Sequence, residues 1–376
     1  MKIQFLNVNN HRHMQLRYLL LFSLFASLLF LACDDDDGPV AVPPVYDDTP
    51  YILSYGSFPV PRLPEDNQLT EQKVLLGRML FHETMLSKDG SQACASCHLQ
   101  ADGFSDSRRF SIGVEGLPGN RQAMPVFNMA WHTNQFFWDG RANLLRDQAL
   151  KPIQDPLEMN ETLENVITKL SDSKMYRDQF IRAYDSEEIT EEKLALALEQ
   201  FMFSIVSNQS KYDRYLAGEI ELSESEERGL LLFEGEYNPF FPEASGADCF
   251  HCHGGKNFEN DRYANNGLDI DADFTDLGRG NVTQNPADRA KFKVPSLRNV
   301  GITAPYMHDG RFQTLEQVID HYNQGIKSSS PLDPTLENTR ETGLFLTPQD
   351  KTDLINFLHT LTDEVMMSEP AYQSPF

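Results

Sequence analysis

Cys94-Ala95-Ser96-Cys97-His98 is matched in type by Cys249-Phe250-His251-Cys252-His253, and these two C-x-x-C-H runs use four of the five cysteines in the 376-residue chain. Two thiols two residues apart can add to the two vinyl groups of one haem. The next residue then places an imidazole under the iron. One such run alone could equally be a zinc knuckle or a redox dithiol. Zinc would want the four thiols brought together, and a histidine directly after each pair would then be coincidence. The pattern predicts two covalently bound haem c groups, with His98 and His253 as proximal iron ligands.

The flanks of the two runs repeat as well. Pro125-Val126-Phe127-Asn128 and Trp138-Asp139-Gly140-Arg141 follow the first; Pro295-Ser296-Leu297-Arg298-Asn299 and His308-Asp309-Gly310-Arg311 follow the second. Pro125 to Trp138 and Pro295 to His308 are both steps of 13 residues. Each D-G-R opens an apolar pattern of helical period, with Leu144, Leu145 and Gln148 in one copy and Leu315, Val318, Ile319 and Tyr322 in the other. Helical periods also cover 68–81, 163–184, 191–204, 224–233 and 347–361, the last with Thr347 as N-cap, Pro348 in the first turn and Asp350 at the third position. No alternating strand pattern of useful length appears. The expected fold is all-α: two cytochrome c-like helical domains related by internal duplication, at 63–220 and 221–376, with the boundary near residues 218–223.

Ahead of these domains, residues 18–32 (YLLLFSLFASLLFLA) are almost wholly apolar and follow His11, Arg12, His13 and Arg17. A basic region before a short apolar run reads as a signal peptide over 1–32. The run is short of the roughly 20 residues a membrane span needs. Phe30-Leu31-Ala32-Cys33 resembles a bacterial lipoprotein cleavage site, although Leu is more usual where Phe30 stands, so Cys33 is the expected lipidated N-terminus. Asp34 to Asp37 follow directly. They read as a solvated tether and also resemble a cell-surface sorting signal of some Gram-negative lipoproteins. With the prolines that follow, an acidic, Pro-rich tether is expected over 33–62. The location expected is outer membrane or cell surface, otherwise periplasm.

The formal charge of −24 argues against nucleic-acid binding and favours basic partners. Five cysteines exclude a disulfide-rich scaffold, and a hydrophobic content of 40% excludes wholesale disorder.

The two C-x-x-C-H runs, F-W-D-G-R-A from Phe137, D-Q-A-L-x-P-I-x-D-P-x-E-M from Asp147, V-P-S-L-R-N-V from Val294 and A-P-Y-M-H-D-G-R-F from Ala304 resemble the bacterial di-haem cytochrome c peroxidase and MauG family over residues 63–361. The resemblance implies a peroxide-reacting haem on His98 and an electron-transfer haem on His253, with Trp138 as relay between them. It places Gln148 and Glu158, ten and twenty positions after Trp138, on the distal side of the first haem. It also implies one calcium ion on the carbonyls of Thr303 and Pro305; the family's asparagine ligand is poorly matched, with Asn120 as the candidate.

Peroxide cleavage needs a base that becomes an acid, and one carboxyl of raised pKa in a dry pocket serves for both. Glu158 is therefore the expected proton shuttle, on a loop between Pro156 and a helix starting near Asn160. Its plainer reading is a helix N-terminal acid. Gln148 could be merely solvated, and Trp138 merely core.

Two positions depart from the plain peroxidases. Many carry a histidine sixteen residues after the first C-x-x-C-H; here that residue is Val114. They place methionine fourteen residues after the histidine of H-D-G; here that residue is Tyr322, as in the MauG branch. Tyr322 is the expected second ligand of the second iron, with Met307 as rival and a packing aromatic as the alternative. The remaining histidines, His82, His132, His251, His321 and His359, read as surface or satisfied core residues, and His308 as support for a haem or the interface.

The function this implies is hydrogen peroxide reduction, fed through the second haem by a small cytochrome c or cupredoxin. Alternatives are MauG-like oxidation of a protein or small molecule through high-valent iron, or a di-haem electron carrier without peroxide chemistry.

Overall fold

A computed structural model of the chain describes residues 43–376. The expected signal peptide, Cys33 and the Asp34–Asp37 run lie outside the described residues. No helix among the described residues is long and apolar enough to cross a membrane.

The fold is mostly helical, and each C-x-x-C-H sits beside one tight pair of helices. In the first half, α1 (Glu71–Phe81) packs on α2 (Glu191–Ser204). In the second, α3 (Glu224–Glu234) packs on α4 (Pro348–His359). Both crossings depend on a glycine. A Cβ on Gly77 would stand 2.0 Å from the Ala197 carbonyl oxygen, and one on Gly229 would stand 2.0 Å from that of Asp353. Four residues after each glycine comes a phenylalanine facing its partner helix: Phe81 against Phe201 and Phe233 against Phe357, with ring centroids 5.2 Å apart in both pairs. A third ring completes each cluster, Phe104 edge-on to Phe81 and Phe258 edge-on to Phe233. All six rings are buried.

The helix ends explain where the periodic segments differ from expectation. The segment read from residue 68 becomes helical only at Glu71. The Gln200 amide donates to Asn67 Oδ1 (2.7 Å) and accepts the Thr70 N–H (3.0 Å), holding residues 67–70 extended against α2. The segment over 163–184 is two helices, Leu163–Asp172 and Lys174–Tyr184, broken at Ser173 (φ −86°, ψ 116°). The helix after Glu158 starts at Leu163 under a Thr162 cap, not near Asn160, whose own φ is +48°. At the C-terminus Thr347 and Asp350 form the capping box read from sequence.

One two-stranded antiparallel ladder, β1 (Tyr263–Ala264) with β2 (Phe292–Lys293), was not expected; two residues are too few to show a period. Residues 47–62 differ from a free tether. Tyr51 N–H donates to Leu69 O and Glu71 N–H to Thr49 O, Trp131 Nε1 donates to Pro59 O, and Phe58 is buried under Trp131 and the Arg298 guanidinium. Extended, proline-punctuated chain keeps its polar groups free to bond along a surface.

Candidate active site

Cys94–Ser96 forms one 3₁₀ turn, and the N–H groups of Cys97 and His98 both return to the Cys94 carbonyl. This puts both thiols and the imidazole on one side of the turn. His98 Nδ1 lies 2.9 Å from the carbonyl oxygen of Phe104. Phe104 reaches back because its backbone is left-handed (φ +57°) while its ring is anchored on Phe81. The other ring nitrogen is thereby left for a metal. Burial lowers the His98 pKa, so the ring stays neutral, and burial pushes Cys94 up to about 12, which keeps it a thiol.

Cys94, Cys97 and His98 line a cavity of about 780 Å³. Trp138, Gln148 and Glu158 line the same cavity, so the structure brings together every residue expected at the first haem. Two thiols, a neutral imidazole and a cavity of that volume fit one covalently attached haem.

Glu158 lies on the 155–160 loop, fastened from behind. Val114 N–H donates to the Glu158 carbonyl (2.9 Å), and Lys88 N–H to that of Met159 (3.0 Å). Gly113 permits the approach: a Cβ there would stand 2.2 Å from Leu157 O. Val114, the position at which the family resemblance would place a histidine, thus supplies a backbone clamp to the acid's loop. The Glu158 carboxyl makes no hydrogen bond to another described residue. Its pKa rises to about 7, first by burial and then by Asp155, with Arg141 pulling it back. The Gln148 side chain likewise makes no hydrogen bond within the described residues.

Trp138 is buried at the contact between the halves. Its Nε1 donates to Gln122 O (2.8 Å), and Gln122 N–H donates to His308 O (2.9 Å). Lys293 N–H donates to Trp138 O (2.7 Å), and beside it Phe292 stacks on the His308 ring with centroids 3.6 Å apart. Asp139, next to Trp138, takes Arg121 and Arg141, and Arg121 reaches across to Asp276 at 2.7 Å. His308 therefore sits in the interface.

The second motif is built alike. Cys249–His251 is a 3₁₀ turn, and His253 Nδ1 lies 3.3 Å from the carbonyl of Phe258, again left-handed (φ +52°), and 3.1 Å from that of Pro295. Burial holds His253 down to about 4 and pushes Cys249 up to about 12. Tyr322 faces this site, close enough to feel both cysteines, and burial pushes its phenol up to about 12. The paired thiols, the oriented imidazole and an enclosed phenol fit a second haem. The buried Asn265 Nδ2 has no partner among the described residues and lines a 170 Å³ cavity beside His308 and Arg311, a setting suited to a carboxylate edge.

The expected calcium donors are less coherent. Thr303 is buried against Gly103, whereas Asn120 is exposed at the rim of both cavities, and no hydrogen bond among the described residues joins Asn120 to Thr303 or Pro305.

The partners of several residues escaped sequence reading. His132, Glu259 and Asp261 bring ligand-type atoms within 4.8 Å of one another. The Lys293 ammonium stands 3.4 Å from His132 Nδ1 and 3.9 Å from Asp261 Oδ1 while donating to Gln135 O. Burial and that cation hold His132 neutral, down to about 3. Lys293 thus supplies a positive charge beside the cluster, and His132 of the first half meets Glu259, Asp261 and Lys293 of the second. Gln122 and Asn266 also carried no sequence signal, since one acts through its backbone and the other sits in an N-N-G run that reads as a turn.

Known proteins resemble this chain in sequence and in fold. Residues 71–221 match the family model described as di-haem cytochrome c peroxidase. The methylamine utilization protein MauG of Methylorubrum extorquens is 36% identical over 305 residues, covering 80% of this chain and 81% of that protein. The cytochrome c551 peroxidase of Nitrosomonas europaea is 36% identical over 260 residues, covering 68% and 73%. The crystal structure of a MauG-like protein associated with microbial copper homeostasis superposes with a TM-score of 0.77 at 34% identity, covering 85% of this chain and 97% of that one.

Proposed function

Because the chain belongs to the di-haem cytochrome c peroxidase and MauG family, an oxidoreductase family with two haem c cofactors, we propose that it reduces hydrogen peroxide to water on the His98 side and takes up the two electrons on the His253 side. The observation that most supports this is Glu158: a carboxyl of pKa near 7, without a protein partner, on a clamped loop of the His98 cavity.

Cys94 and Cys97 would hold the first haem and Cys249 and Cys252 the second. When bound, these groups supply peroxide activation and one-electron storage. The protein's own task is to move protons and place the substrate. Glu158 takes the proton from the near oxygen of peroxide and returns it to the departing oxygen, which leaves as water. Gln148 presents its free amide to the peroxide and fixes its approach. With two electrons and two protons, one peroxide yields two waters. Trp138 is the relay, tied to His308 through the Gln122 backbone. Tyr322 is the proposed ligand at the second iron. A basic donor, a small cytochrome c or a cupredoxin, suits a chain of charge −24.

A second reading, MauG-like oxidation of an external substrate, is favoured by Val114 and Tyr322, which replace the histidine and methionine of the plain peroxidases. Stopped-flow mixing with peroxide, with and without a reduced donor, decides between them. Donor-dependent turnover supports the first reading, and a long-lived oxidised state that the donor does not quench supports the second.

Export with a lipid on Cys33 is part of the proposal; Cys33→Ala should release the chain from membranes. For calcium, Thr303 and Pro305 carbonyls are the proposed donors, and a chelator that leaves Tm unchanged would remove them from consideration.

A further inference from the structure

We infer that Tyr322 and Met307 are alternative ligands at the second site, exchanged with oxidation state, and that Asn266 is the positioning residue that holds both. The inference rests on the proposed haem attachment at Cys249, Cys252 and His253.

Three observations meet here. Asn266 Nδ2 lies 3.3 Å from the Tyr322 hydroxyl and 3.3 Å from Met307 Sδ, so one amide touches both donor atoms. The internal repeat gives both side chains the positions of two residues that line the first cavity. Met307 precedes His308 as Phe137 precedes Trp138, and both have left-handed backbone (φ +72° and +69°) closed by the same type of bridge, Tyr306 with Phe312 and Phe136 with Ala142. Tyr322 lies fourteen residues past His308, as Pro152 lies fourteen past Trp138. Phe137 and Pro152 both line the first cavity. Third, the helix Leu315–Asp320 widens into a π-turn at His321–Gly325, and Tyr322 stands on that turn. Such turns are strained relative to the α-helix and collect at functional sites. His321 Nε2, 2.9 Å from Asn266 O, ties the turn to the same residue.

The chemistry selects between the two donors. A phenolate oxygen favours ferric iron, and a thioether favours ferrous iron and raises the potential. On one-electron reduction by an external donor, iron goes from the ferric to the ferrous state. The Tyr322 oxygen–iron bond breaks, the phenolate takes one proton from solvent, and a Met307 sulfur lone pair forms the new bond. Reoxidation reverses each change. Asn266 Nδ2 donates to whichever atom is off the metal, so neither is left without a partner in a buried site.

The test uses the full holoprotein with dithionite as reductant, read by absorption and magnetic circular dichroism. Haem content by mass and the unchanged first-haem spectrum serve as controls, so that failed attachment is told apart from failed exchange. Tyr322→Phe should lose the ferric phenolate charge-transfer band and keep the ferrous spectrum. Met307→Leu should keep the ferric spectrum and lose the low-spin ferrous bands, opening the site to carbon monoxide. Asn266→Ala should perturb both oxidation states, and Asn266→Gln should restore them in part. A Met307→Leu ferrous spectrum identical to wild type overturns the exchange. If both Met307→Leu spectra change, the thioether is the ligand throughout and the exchange is likewise overturned.

Discussion

The two halves share one frame and differ on the distal side. In both, a glycine lets two helices touch, a phenylalanine four residues later meets its partner, and a left-handed third phenylalanine turns its carbonyl onto the histidine of C-x-x-C-H. The difference begins where side chains face the cavity. The first half offers Gln148 and Glu158 without protein partners; the second offers Tyr322 and Met307 on a shared amide. Duplication supplied a common way to orient an imidazole. On the proposed reading, reactivity then depends on what faces each cavity: Gln148 and Glu158 would leave a coordination place open in one half, and Tyr322 or Met307 would fill it in the other.

The largest expected effect breaks the frame itself. Cys249→Ala with Cys252→Ala should lose one haem of two by mass and take the second half's cooperative unfolding with it, because the proposed haem would pack against the Phe233–Phe258–Phe357 cluster beside His253. The matching pair at Cys94 and Cys97 should do the same to the first half. A protein that keeps two haems or an unchanged melting profile would refute the shared architecture.

Next comes the distal difference. Glu158→Gln should slow the reaction with peroxide about 10²–10⁴-fold, as loss of a general acid–base group typically does, with haem content and resting spectra unchanged. The rate should rise with pH through about 7, since proton acceptance needs the charged carboxylate, and the variant should lose that rise. Stability should move the other way. The folded pKa lies above the ordinary 4.5, so between pH 4.5 and about 7 the folded protein keeps a proton that the unfolded chain has lost. The Glu158 contribution therefore falls as pH rises through that window, and Glu158→Gln should flatten the slope of Tm against pH there.

The frame was legible in sequence because covalent chemistry and repetition write it locally. The C-x-x-C-H runs, the equal 13-residue steps and the Trp138–Gln148–Glu158 spacing lie within short stretches. The pockets were less legible, since partners far apart in sequence make them. Nothing in the N-N-G run marks Asn266 as reaching Met307 and Tyr322, 41 and 56 residues on. The Gly77 and Gly229 crossings were equally hidden, for a glycine within a helical period shows a cost but not the neighbour that requires it. The docked segment at 47–62 was misread for the same reason: proline-rich composition describes the free chain, and Phe58 finds its partners 73 and 240 residues away at Trp131 and Arg298.

A smaller effect tests the loop's clamp. Gly113→Ala would set a Cβ 2.2 Å from Leu157 O and 2.7 Å from Glu158 O, so the 155–160 loop must shift. Overpacking of this kind costs about 1–3 kcal/mol. The shift should lower Tm and slow the peroxide reaction together, because the same loop carries the carboxyl. Gly116→Ala, where no atom lies within 4 Å of the added Cβ, meets only the strain of its left-handed φ of +72° and should spare the rate. Equal rate losses in the two variants would mean that the clamp does not position Glu158.

The smallest effect expected is at Gln148. Its amide has no partner among the described residues and faces the cavity, so it can donate to a bound peroxide without first breaking a bond to the protein. It transfers no proton. A neutral hydrogen bond contributes about 1 kcal/mol net, and about 1.4 kcal/mol is a factor of ten. Gln148→Leu should therefore cost about fivefold in the peroxide rate and leave the pH midpoint near 7. Gln148→Glu sharpens the test. A second carboxylate in the same cavity disfavours charge on Glu158, so the midpoint should move upward while the rate at high pH recovers. A midpoint that stays in place would mean the two side chains do not act on the same substrate, and the parallel between an open and a filled distal side would then rest on Glu158 alone.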